Sequence, residues 1–326
     1  MPRHADPSRR AALSVGTLAL TLAPRARAQA WPERPLRVLV GFPPGAPADV
    51  AMRLLAGPLG DRLGQAVVVE NRTGASGLIA AEAMLRAPAD GHTLLVMPST
   101  TPTTLAMRRA PPFEAAELHP VAGVALAPMV LVARPALGVA DMAAFLALAR
   151  GRGDRLTYGI AGPASAEARA MALLADGAGL SPTPVGYRGN PEIATALLSQ
   201  QVDCGFLFLG VALPHIREGR LTALATTSPQ RVPHLPQLPT TGELGLPEVD
   251  VTGAWSVVAP RAMPAAAQAT LLAAVRAARE MASYRERLAL AGALPLDLDD
   301  EALRAALLRE RDRQVALLRR LGVEPD

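Results

Sequence analysis

The chain has 326 residues, with 33 basic and 29 acidic side chains, one cysteine and 3% aromatics. Five arginines and one aspartate fall in the first 30 residues, so the remaining 296 carry 28 of each sign and no net charge, which removes the basic footprint that nucleic-acid binding requires. A lone Cys204 excludes internal disulfides and cysteine-based metal clusters; sparse aromatics weigh against the stacked faces of sugar and choline sites; the length is ample for two α/β domains.

Residues 1–30 read as an export signal. Arg3, Arg9 and Arg10 precede an apolar run, Ala11 to Ala23, and Ala28-Gln29-Ala30 forms a small-x-small cleavage site. The run is too short to span a membrane. Ser8-Arg9-Arg10-Ala11-Ala12-Leu13 resembles a twin-arginine motif with Ala12 at its usual Phe, leaving that route and the general one both open. Either delivers a periplasmic protein. No later run reaches membrane-spanning length, so the mature chain is expected not to insert in a membrane.

An apolar strand, Leu36–Val40, leads into Gly41-Phe42-Pro43-Pro44-Gly45-Ala46-Pro47-Ala48-Asp49 and a helix over Pro47–Leu63. Pro47 suits the first helical turn and Asp49 complements the dipole there. Gly57-Pro58 is expected to bend that helix or end it early. A second strand, Ala66–Val69, is followed by Asn71-Arg72-Thr73-Gly74-Ala75-Ser76-Gly77 and a helix, Gly77–Ala87. Two glycine-bearing loops, each opening a helix, offer free N–H groups and a partial positive charge to a small anion such as a carboxylate. Strands follow at Thr93–Met97, Met129–Ala133, Leu156–Ile160, Cys204–Phe208, Leu221–Ala225 and Val251–Val258. Helices are predicted at Asp141–Arg150, Ser165–Ala178, Pro191–Ser199, Pro264–Met281 and Asp300–Leu321. The alternation predicts an α/β fold with mostly parallel sheets flanked by helices. Strands near 124–134 and 251–260 are expected to cross between two lobes, residues 31–128 plus 252–326 and residues 129–251, with the ligand in the cleft between them.

Cys204 reads as a small core residue. His92, His119, His215 and His234 lack metal-ligand spacing. No nucleophile–base pair accompanies the two loops, so no catalytic residue, metal or cofactor is expected. Trp255 is expected to pack at the hinge, Arg72 to pair with Glu70 or Asp49, and Asp49 to serve mainly as a first-turn acid.

Several segments, in order, carry a resemblance. They are Trp31-Pro32-Glu33-Arg34-Pro35-Leu36-Arg37, Phe42-Pro43-Pro44-Gly45-Ala46-Pro47-Ala48-Asp49, Leu63-Gly64-Gln65-Ala66-Val67-Val68-Val69-Glu70-Asn71-Arg72 and Asp90-Gly91-His92-Thr93-Leu94-Leu95. Gln201-Val202-Asp203, Leu213-Pro214-His215-Ile216, Gly219-Arg220-Leu221, Leu238-Pro239-Thr240 and Ala259-Pro260 complete the series. Across nearly all of the mature chain this resembles the Bug family, the extracytoplasmic substrate-binding proteins of tripartite tricarboxylate transporters. The resemblance implies a two-lobed periplasmic binding-protein fold (type II-like) that closes on a small carboxylate solute. It implies no enzymatic activity, and a monomer partnered by transporter membrane subunits. A sensor that presents the solute to a signalling receptor would need the same site, and the sequence does not separate the two.

Carried onto this chain, the resemblance implies ligand contacts from the loop with Phe42, Pro44, Gly45, Ala46 and Asp49, and from Gly74, Ala75, Ser76 and Gly77. It adds Ser99, Thr100 and Thr101 after the third strand. From the second lobe it implies Gly162, Ala164 and Ser165, then Tyr187 and Arg188, and position 207. Three departures stand out. Ala46-Pro47 replaces a second glycine and removes a donor, Ala168 stands where the family often has His, and Leu207 stands where many members have Asp. The last implies a more apolar acid rather than an amino acid.

Overall fold

The computed structural model describes residues 31–320, together with Met1; the predicted export signal and the end of the last predicted helix at Leu321 lie outside the described residues. The chain begins with strand β1 (Leu36–Val40), helix α1 (Pro47–Leu63), β2 (Val67–Asn71), α2 (Leu78–Leu85), β3 (Thr93–Pro98) and the short α3 (Thr101–Ala106). A long strand, β4 (Leu118–Ala133), follows, then α4 (Met142–Arg152), β5 (Thr157–Ile160), α5 (Ala166–Ala178), β6 (Thr183–Gly186), α6 (Asn190–Leu198), β7 (Cys204–Phe208), α7 (Leu209–Arg217) and β8 (Thr222–Thr226). The chain returns through β9 (Thr252–Pro260), α8 (Ala265–Arg279), α9 (Ala282–Leu290), β10 (Leu294–Pro295) and α10 (Asp300–Arg320).

Strand order is β2-β1-β3-β9-β4-β7-β5-β6, with β8 and β10 also pairing β4. β2, β1 and β3 are parallel, and β9 lies antiparallel to both β3 and β4. β4 serves two sheets. From Leu118 to Pro128 it pairs β9; from Met129 to Ala133 it pairs β7 and β8. β7, β5 and β6 are parallel. The result is two α/β lobes flanked by helices, each a mixed rather than a mostly parallel sheet, because the antiparallel pairings of β4 and β9 equal or outnumber the parallel ones. Buried apolar residues of α1, α5 and α8, such as Leu55, Leu174 and Leu271, cover the sheets, as expected when strands are buried on both faces.

The crossing is tied by side chains. Thr227 Oγ1 accepts the Met129 N–H at 3.0 Å and donates to the Val251 carbonyl at 2.6 Å. Thr226 Oγ1 donates to the Met129 carbonyl at 3.1 Å. Both threonines are at most 1% exposed.

Several predicted elements differ from those found. α1 does not end at Gly57-Pro58; it runs on to Leu63 and Gly64 closes it in a left-handed conformation. Burial of Leu55 and Leu59 on either side of the proline holds the helix together across the lost N–H. The predicted strand Met129–Ala133 is the second half of β4. Its first half carries Pro120, Gly123 and Pro128, and its register with β9 shifts twice, between Pro120 and Ala122 and between Gly123 and Ala125. Helices α3, α7 and α9 and edge strand β6 have no predicted counterpart.

Candidate functional site

The first loop is built around one buried acid. Asp49 is 2% exposed. Its carboxylate accepts from Gly45 N at 3.0 Å, Arg53 Nε at 2.9 Å and Asn71 Nδ2 at 2.9 Å. Asn71 Nδ2 also donates to the Phe42 carbonyl at 3.0 Å, so the end of β2 pins the loop after β1. Gly45 adopts φ +80° and Ala46 N donates to the Pro43 carbonyl. The Gly45 and Ala46 amides are therefore spent inside the loop, and Pro47 has none. The donors left at this helix start are the first-turn amides of Ala48 and Asp49, which have no intrahelical acceptor.

The second loop turns through four consecutive positive-φ residues: Gly74 at +131°, Ala75 at +47°, Ser76 at +53° and Gly77 at +92°. For alanine and serine this costs roughly 1–2 kcal/mol each, and such strain gathers where successive amides form an anion-binding hollow. The two loops touch glycine to glycine. A Cβ on Gly41 would lie 2.4 Å from Gly77 Cα. Arg72 pairs with Glu70 at 2.7 Å, outside the loop network.

A cavity opens between these loops and the second sheet. It is lined by Phe42, Ala46, Pro47, Ala48 and Ser76 from the first two loops, and by Pro98, Ser99, Thr100 and Thr104 after β3. Ala161, Ser165, Ala166, Glu167, Gly189, Asn190 and Phe208 face them, and Gly253, Ala254 and Trp255 of β9 form the floor. The cavity measures about 50 Å³, several times the roughly 10–15 Å³ that one water needs. The walls meet at two points. Ser76 Oγ donates to the Ala161 carbonyl at 3.4 Å, and a Cβ on Gly189 would lie 3.3 Å from Pro43 Cδ.

Phe208 and Trp255 pack edge to face, with centroids 5.0 Å apart at 68°. Gly253 makes this possible: a Cβ there would lie 2.2 Å from Phe208 Cε1 and 2.8 Å from Trp255 Cη2. Trp255, 4% exposed and part of the core on β9, also lines the cavity. The low overall aromatic content also hid a local concentration at this site.

The polar residue no motif had marked is Glu167. It lies in the first turn of α5, 4% exposed. Asn190 Nδ2 donates to its carboxylate, while Asn190 Oδ1 accepts the Phe208 N–H at 2.7 Å. Burial pushes the Glu167 carboxyl up, against the lowering influence of its own N–H, Ser165 and Asn190. Ser165 caps α5, its Oγ accepting the Ala168 N–H at 3.2 Å.

Of the residues singled out from the sequence, Phe42, Ala46, Ser76, Ser99, Thr100 and Ser165 line the cavity. Pro44, Gly45, Asp49, Gly74, Ala75, Gly77, Gly162 and Ala164 shape the loops without lining it. Thr101 is buried in α3. Tyr187 packs beside the α6–α7 core instead. Arg188 is 74% exposed, lies 3.7 Å from Glu192 and does not line the cavity. Leu207 is fully buried among Ile193, Leu197 and Leu213. Strand alternation turns Phe208, not Leu207, to the cavity, so an inference drawn from Leu207 about the solute does not hold. Alternation along β7, and a glutamate following a capped helix start, were the signals available for Phe208 and Glu167.

Residues 51–323 match the profile of a family described as the tripartite tricarboxylate transporter family receptor, TctC. The chain is 32% identical over 300 residues to protein BugT of Bordetella pertussis, covering 91% of this chain and 92% of that one. Among solved structures it is similar to MatC from Rhodopseudomonas palustris with bound malate, at TM-score 0.81 and 30% identity, covering 88% and 100% of the two chains. It is also similar to R. palustris Rpa4515 with adipate, at TM-score 0.86 and 28% identity, covering 91% and 100%. Members of this family are periplasmic binding proteins that take up small carboxylates, and they are not enzymes. The chain belongs to the TctC family of tripartite tricarboxylate transporter receptors, the Bug proteins.

Proposed function

We propose that this protein, exported to the periplasm, captures a small carboxylate between its lobes and delivers it as a monomer to the membrane subunits of a tripartite tricarboxylate-type transporter. The lobes are residues 31–128 with 252–326 and residues 129–251; they meet where β4 changes partners between Pro128 and Met129. The reading rests on one observation above all. Ala48 at the start of α1 and Ser76 of the left-handed turn line one small cavity that no basic side chain lines; helix starts and such turns leave backbone amides for an anion. Phe42, Ser76, Ser99 and Thr100 contact the solute from the first lobe, and Ser165 from the second. The malate and adipate in the two relatives supply the ligand class.

A thermal-shift screen of the mature protein against mono-, di- and tricarboxylates tests this. A ligand at 100 times its Kd adds about 2.7 kcal/mol of stability. Thr100→Asp, at a helix start that tolerates Asp, sets a second negative charge at the cavity wall. It should lower carboxylate affinity at least tenfold with little change in Tm. Retained affinity would move the carboxylate elsewhere.

A further inference from the structure

Among the residues lining the cavity, Glu167 is the one ionisable side chain. The nearby charges are otherwise engaged: Arg169 on the same helix pairs with Glu310 of α10, Arg188 lies beside Glu192, and Asp49 pairs with Arg53. Among the described residues, no cationic side chain pairs with Glu167.

The polar groups around Glu167 are arranged for an anion. Asn190 Nδ2 donates to its carboxylate, and Ser165 and the residue's own N–H favour its charged form. The start of α5 favours negative charge further. Burial opposes the charge and outweighs these donors, so the carboxyl is raised in the unliganded protein; a cation placed beside it would favour the carboxylate. Facing Glu167 across the same small space are Phe42, Phe208 and Trp255. A buried carboxylate, aromatic rings and no protein cation are together the complement of a positively charged nitrogen.

We infer that the solute carries a cationic nitrogen as well as a carboxylate. Its ammonium or quaternary ammonium group meets Glu167 and the rings of Phe208 and Trp255, while its carboxylate lies at the backbone donors of the first lobe. This rests on the carboxylate-capture reading and narrows it to zwitterionic acids. A plain diacid would bring a second anion against Glu167 with nothing to compensate it.

The test is calorimetric titration at pH 7.5 with matched pairs: β-alanine against succinate, 4-aminobutyrate against glutarate, and 5-aminovalerate against adipate. The N-trimethyl derivative of each amino acid forms a third arm that separates primary from quaternary ammonium. At least one zwitterion should bind tenfold or more tighter than its matched diacid. Glu167→Gln, which keeps the hydrogen bond to Asn190, should erase that preference. Trp255→Leu should weaken the same zwitterion without improving the diacid, a second readout should the first variant fold poorly. Diacids binding as tightly as their matched zwitterions, or an unchanged preference in Glu167→Gln, would overturn the inference and leave carboxylate capture standing. Binding of neutral amides of this series in place of every acid would overturn carboxylate capture itself.

Discussion

Gly253→Ala isolates the aromatic wall of the cavity. The added methyl would lie 2.2 Å and 2.5 Å from two ring carbons of Phe208 and 2.8 Å from Trp255. Carbon atoms rest at about 3.5 Å or more, so the Phe208 ring must retreat by about 1.3 Å. Trp255 blocks one side at a centroid distance of 5.0 Å, which leaves the cavity as the direction of escape. Overpacking of this kind costs about 1–3 kcal/mol, or several degrees of Tm in a protein of this size. The control is Gly138→Ala, where φ is +73° and no atom lies within 4 Å of the new methyl; it costs about 1 kcal/mol through backbone strain alone. Both variants should unfold earlier by calorimetry, but only Gly253→Ala should lose affinity, by tenfold or more, for the solutes the wild type binds. Equal affinities in the two variants would refute the placement of the Phe208–Trp255 wall in the binding site.

Other consequences are open to measurement. Glu310→Gln strands the buried Arg169 guanidinium on α5, and denaturant unfolding should register a loss of about 3 kcal/mol. Burial opposes the Asp203 charge, but the Thr157 N–H and Arg134 outweigh it and hold its carboxyl below the ordinary 3.8. Its contribution is therefore present above pH 3.8 and lost as pH falls through its folded value, so Asp203→Asn should flatten the acid limb of a stability–pH curve. Glu167 has the opposite sign: its raised carboxyl favours the folded state as pH falls towards the ordinary 4.5. Unliganded Glu167→Gln should thus melt above wild type at pH 7.5, with the gain gone near pH 4.5. Cys204 is buried and its thiol is pushed up by that burial; a thiol reagent should label it only after denaturant is added.

Elements with dense local signals were legible from the residues. β1, β7 and α1 carry apolar runs or a proline start, and their predicted limits match those found. The start of β4, before residue 124, was hidden because it carries Pro120 and Gly123; a strand between two partners tolerates them through bulges. β6 is an exposed edge containing Pro184, held mainly by its pairing with β5. The binding loops were visible because strand, glycine turn and helix are contiguous in sequence. Glu167, Asn190, Phe208 and Trp255 were not, since they come from four elements and only the chain path brings them to one cavity. Asp49 shows the limit from the other side: its type and position were plain, but its work in fixing Gly45 and Asn71 depends on contacts 4 and 22 residues away.

The threonine at the crossing has a mechanical meaning. Thr227 ties the chain just before β9, at the Val251 carbonyl, to β4 at Met129 through one buried hydroxyl. Connectors joined at a point cannot twist independently. Opening that preserves these bonds is reduced to rotation about a single pin, and displacement grows with distance from it.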